Sequence, residues 1–110
     1  MSKKFKKFRK IAENLEWKVT VEGNYMYLQK YSPAGQDFNL EIEAQNMQEA
    51  VTELKNRCDN FDCSEEAYLW LDETGHGTNG APYNMKELYE DMEACLKMMV
   101  ELYDEVRVAA

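Results

Sequence analysis

The feature that most constrains the fold is a change of hydrophobic period along the chain. From Trp17 to Glu43 apolar and polar residues largely alternate one by one, whereas on either side apolar residues recur every three or four positions. A period of two lines one face of a strand, and a period near 3.6 lines one face of a helix. Within the alternating stretch, Gly23-Asn24 is a two-residue hairpin signal between Trp17–Glu22 and Tyr25–Tyr31. Ser32-Pro-Ala-Gly35 is a second turn, with Pro presetting φ and Gly available for a positive one. Asp37–Glu43 alternates again, with Phe38, Leu40 and Ile42 against Asn39, Glu41 and Glu43. Residues 17–43 therefore predict a three-stranded antiparallel meander.

Helical spacing frames it. Phe5, Phe8, Ile11, Ala12 and Leu15, with lysines between, predict an amphipathic helix over 3–15. Asn46 with Glu49 is a capping-box pattern, and Ala50, Val51, Leu54, Cys58 and Phe61 continue as a helical stripe. Asp62 or Ser64 caps a short third helix running through Leu71, and a Gly-rich connection covers 74–83. Asn84 with Glu87 repeats the capping pattern before a long last helix. Its apolar positions are Met85, Leu88, Met92, Cys95, Met99, Leu102 and Val106. The order is α-β-β-β-α-α-α, an α+β fold with helices on one face of a small sheet. At 110 residues the chain reads as one domain, 1–110, made of a basic helix 3–15, a meander 17–43 and an acidic helical part 46–107.

Charge is divided by position. Residues 1–30 carry eight Lys/Arg against three Glu, while residues 31–110 carry five against eighteen Asp/Glu, for a formal net charge of −8. An acidic surface repels nucleic acid and attracts the basic grooves that bind it. The N-terminal α-β-β-β-α order matches the outline of a double-stranded-RNA-binding domain, but that activity needs a basic second helix. Here Met47–Asn60 carries Glu49, Glu53 and Asp59 against Lys55 and Arg57. Direct nucleic-acid binding is disfavoured, and only the Lys3–Lys10 arm suits phosphate. No apolar run is long enough to span a membrane, and the basic start lacks the apolar core of a secretory signal, so a cytoplasmic location is expected. Three cysteines, an odd number, are no disulfide framework.

Catalytic signals are weak. Gly75-His-Gly-Thr-Asn-Gly80 spells G-x-G-x-x-G, yet a helix rather than a strand is expected before it, and Asp72 and Glu73 stand where a phosphate should dock. Cys58 and Cys63 make one C-x₄-C pair, but His76 and Cys95 are scattered singles where a zinc site shows a second pair, and Cys58 and Cys95 fall on apolar stripes. His76 is the only histidine, and no nucleophile-base order surrounds it. The chain reads as no enzyme, with no metal and no cofactor.

Two candidate binding faces remain. Glu87, Glu90, Asp91, Glu101, Asp104 and Glu105 lie off the apolar stripe of the last helix, relieved only by Lys86, Lys97 and Arg107. Glu65, Glu66, Asp72 and Glu73 extend the acidic field. Like charges on one helix face cost a few tenths of a kcal/mol each. Retaining them suggests a use for the field. On the second strand, Tyr25, Tyr27 and Tyr31 share a face opposite Met26 and Leu28. They serve either as good strand formers on an exposed sheet or as a contact surface, and one residue of register would reverse the face.

Two strings carry a resemblance: Tyr31-Ser-Pro-Ala-Gly-Gln-Asp-Phe38, and Glu65–Asp72 running through Gly75-His-Gly-Thr-Asn-Gly-Ala-Pro-Tyr83 to Met92. They resemble small proteins of phages and mobile elements of gut Firmicutes. Small acidic proteins of that habitat are often inhibitors of host defence, including anti-CRISPR and anti-restriction proteins. The resemblance thus implies a bacterial host cytoplasm and an inhibitor role. With the charge, it leads to the expectation of a nucleic-acid mimic that occupies the basic nucleic-acid-binding surface of a Cas9-type nuclease. The alternative is a structural or adaptor protein that dimerises along an apolar seam of the last helix. A monomer or a homodimer is expected accordingly.

Overall fold

A computed structural model describes residues 5–69 and 85–110. The elements follow the expected order: α1 (Lys6–Asn14), β1 (Lys18–Glu22), β2 (Tyr25–Tyr31), β3 (Asp37–Glu43), α2 (Met47–Asp59), α3 (Cys63–Leu69) and α4 (Met85–Ala109). The strands form one antiparallel sheet in the order β1-β2-β3. Pairing is centred on Thr20↔Tyr27↔Glu41, with Val21↔Met26↔Ile42 and Val19↔Leu28↔Leu40 on the opposite face.

Burial follows the alternation. Val19, Met26, Leu28, Phe38, Leu40 and Ile42 turn inward, while Lys18, Thr20, Tyr25, Tyr27, Asn39, Glu41 and Glu43 stand exposed on the outer face. Gly23 at φ +60° makes the β1–β2 hairpin possible, since the first position of a type II′ turn favours glycine. The core joins the inner sheet face to Phe5 before α1 and Phe8 and Ala12 within it, to Ala50 and Leu54 of α2, and to Leu88, Met92, Cys95, Met99, Leu102 and Val106 of α4. Each fully buried Leu or Met contributes about 2 kcal/mol of transfer free energy.

The helix ends have local causes. At α2, Asn46 Oδ1 accepts from Glu49 N at 3.0 Å, as its capping box predicts. Between the two expected caps of α3, Asp62 is the one used: its Oδ1 accepts from Ser64 N and Glu65 N at 3.0 and 3.1 Å. The Asn84 cap lies outside the described residues. Helix α1 ends at Asn14 rather than 15, because Glu16 adopts φ +71°. Trp17 N then reaches Ala12 O and Glu16 N reaches Glu13 O, both at 3.0 Å, the two bonds of a Schellman motif. Trp17 is spent on this turn, so the first strand begins at Lys18.

Leu88, Met92, Cys95, Met99, Leu102 and Val106 are all buried within the chain's own core, at 0–1% exposure. The expected dimer seam on α4 is thus corrected: the sheet and the other helices already occupy it. Among the described residues, no helix is long and apolar enough to cross a membrane.

Candidate binding faces

Among the described residues, no helix covers the outer face of the sheet. Across its three strands run the rows Lys18-Gln29-Asn39, Thr20-Tyr27-Glu41 and Glu22-Tyr25-Glu43. Tyr25 and Tyr27, two residues apart on β2, stack with ring centroids 6.2 Å apart and planes 14° from parallel. They are 38% and 37% exposed, and Tyr31 is 66% exposed. The register that could have turned them inward is therefore settled.

The tyrosines stand in a frame of carboxylates. A hydrogen bond to the Glu43 carboxylate, then its charge, burial and Glu41, hold the Tyr25 hydroxyl above its ordinary pKa. Burial, followed by Glu41 and Glu22, does the same for Tyr27. At the other end of the face, Lys18 and Arg57 border an open depression of about 700 Å³ with Thr20, Tyr27, Tyr31 and Asn39. The face is polarised: aromatic and acidic toward the β1–β2 hairpin, mixed toward the β2–β3 turn.

On α4 the exposed stripe differs from the expected one by two residues. Glu87, Glu90, Glu101, Asp104 and Glu105 are exposed, as the periodicity implies. Asp91 is not part of that face. It is 5% exposed and turned into the protein. Its Oδ1 accepts from Ala34 N at 3.0 Å, and its Oδ2 accepts from Ser32 Oγ at 2.5 Å and from Gln36 Nε2. Ser32 Oγ also accepts from Gln36 N at 2.9 Å, so one carboxylate fastens the whole β2–β3 turn to α4. The correction has a physical reason: position 91 lies three residues after Leu88 and four before Cys95, on the flank of the apolar stripe. Glu93 takes its place on the exposed stripe, three residues after Glu90 and four before Lys97.

On α3, Glu65 is exposed and Glu66 half-buried. Burial, then Glu65 and Asp62, push the Glu66 carboxyl above the usual range. Asp72 and Glu73 lie outside the described residues, as do His76 and the Gly75–Gly80 string. Cys58 and Cys63 are partly buried, and Cys95 is fully so. Burial raises all three thiols, Cys95 to about 12, which keeps them protonated and weakly nucleophilic. Among the described residues, no three His, Cys, Asp or Glu side chains converge as metal ligands.

No family model, curated protein or solved structure matches the chain.

Proposed function

We propose that the chain is a binding protein, with no catalytic role, that occupies the basic nucleic-acid-binding surface of another protein. The partner class is a defence nuclease of a bacterial host, of the Cas9 type. The observation that carries this reading is the excess of uncompensated carboxylate on both exposed faces. Arg9–Glu13, Lys55–Asp59 and Arg107–Asp104 form ion pairs among the described residues. Glu22, Glu41 and Glu43 around the tyrosines, and Glu90, Glu93 and Glu101 on α4, belong to none of them.

Such a field steers a cationic surface toward the protein and repels nucleic acid. The Tyr25–Tyr27 stack adds what a pure acid patch lacks, π-faces for arginine and apolar area with polar tips. Guide-loaded effectors present the complementary chemistry, a positively charged duplex channel and arginines that read a short flanking motif.

The test is binding to a panel of immobilised Cas9-type nucleases, with and without guide RNA and target duplex, at low and high salt. Binding that target duplex competes away and that salt weakens steeply is expected. Failure to bind any member at low salt, or binding indifferent to both salt and duplex, overturns the reading. The doubly substituted variants Glu41→Lys/Glu43→Lys and Glu93→Lys/Glu101→Lys tell the faces apart. The one on the contact face loses about tenfold or more in affinity.

A further inference from the structure

The two edges of the sheet are treated differently. In a two-residue hairpin the closing pair, here Glu22 and Tyr25, exchanges backbone hydrogen bonds. By alternation, Lys18 and Thr20 also bond β2, while Val19 and Val21 direct N–H and C=O toward the open side of β1. The same alternation turns the Glu41 carbonyl outward at the β3 edge. There Arg57 of α2 donates to it at 3.0 Å; a helix packs against each edge strand, α1 on β1 and α2 on β3, so this bond is the difference between them. Neither Val19 nor Val21 has such a partner among the described residues. Among the described residues nothing pairs with the backbone of the β1 edge, and unpaired edges are templates for pairing.

The sequence of that edge is its own complement. We infer that two copies of the chain associate through antiparallel pairing of β1 with β1, centred on Thr20, to form a continuous six-stranded sheet. In this register Val19 of one copy faces Val21 of the other, and the two exchange the backbone hydrogen bonds each was left holding. Lys18 faces Glu22 of the second copy on the outer face, and Glu22 faces Lys18, so two opposite-charge cross-strand pairs form. Thr20 faces Thr20 on the twofold axis. Val21, only half-buried within one chain, gains an apolar neighbour on the inner face. The alternation admits two other registers that pair outward-facing positions. Val19 opposite Val19 sets Lys18 against Thr20, and Val21 opposite Val21 sets Glu22 against Thr20; neither makes a Lys–Glu pair. An isologous twofold contact needs a patch that matches itself, and Lys18-Val-Thr-Val-Glu22 does so in charge, shape and hydrogen bonding.

A five-residue edge is short, so the association is concentration-dependent and belongs in a dilution series followed by sedimentation or light scattering. The wild-type chain is expected to pass from monomer to dimer as concentration rises. Lys18→Glu and Glu22→Lys each convert both cross-strand pairs to like-charge pairs and weaken the dimer about tenfold or more. Both positions are exposed, so each variant keeps its fold, which circular dichroism checks. An equimolar mixture of the two variants restores every pair and is expected to form mixed dimers at wild-type strength. So does the double variant Lys18→Glu/Glu22→Lys with itself. A wild type monomeric at its highest soluble concentration, a dimer indifferent to both reversals, or a mixture that stays monomeric overturns the inference.

Discussion

Asp91 and Glu93 stand two residues apart on α4 and meet opposite conditions. Glu93 points to water and carries part of the acidic stripe. Asp91 is enclosed and faces three neutral donors from one turn, Ser32 Oγ, Ala34 N and Gln36 Nε2. Charge-assisted bonds of this kind are about twice as strong as neutral ones, and they compensate the carboxylate for its lost hydration. Their removal is costly because the donors remain buried. Asp91→Ala is expected to destabilise the fold by about 3 kcal/mol, with the β2–β3 turn losing hydrogen-exchange protection first. Glu93→Ala, by contrast, shifts stability by about 0.5 kcal/mol or less. Urea unfolding of the two variants separates them. Equal small effects would show that Asp91 is no clamp.

Among the elements, the α1–β1 joint is the strained one. Glu16 occupies the left-handed position that closes the Schellman motif, where glycine is the usual residue. Glu16→Gly is expected to raise stability by about 0.5–1 kcal/mol, read as a higher urea midpoint with an unchanged slope. Lys30 supports the same joint from β2. Its Nζ donates to Leu15 O at 2.8 Å and lies 5.8 Å from the centre of the Trp17 ring, a cation at a helix C-terminus. None of this joint was legible in the sequence, because Glu16 carries no turn signal and Lys30 sits at an inward position of a strand. The strands themselves were legible, since a slip of one residue would have exposed Val19, Met26, Leu28 and Ile42 together. The stripe of α4 was legible too, and Glu93 repeated a spacing already used for its neighbours. Asp91 was half legible. Its helical angle placed it beside the stripe, but its partners lie 55 to 59 positions away in a turn that no local pattern links to α4.

At the scale of the whole molecule, the excess of negative charge strains the compact state, and raising pH adds to it. A net charge of −8 means self-repulsion, so moderate salt is expected to stabilise the chain even as it weakens the proposed binding. Alkaline pH acts through groups that the fold keeps protonated. The Cys95 thiol, on the buried face of α4 with Asp91 nearby, is pushed from 9.0 up to about 12, and the Tyr25 and Tyr27 hydroxyls are raised as well. These groups are neutral when protonated, and their folded pKa values exceed the unfolded ones. The unfolded chain therefore loses protons first as pH rises, and each lost proton favours unfolding. The stability they contribute is fully present below pH 9 and drains away between 9 and about 12. Urea midpoints measured in steps from pH about 8 to about 11 are expected to fall across that window. Cys95→Ala begins from a lower midpoint, because it leaves a cavity in the core, yet declines less steeply because one of the withheld protons is gone. A wild-type midpoint flat across the window, or a variant that falls as steeply, would remove Cys95 from the account and leave the alkaline sensitivity to the tyrosines and their carboxylate frame.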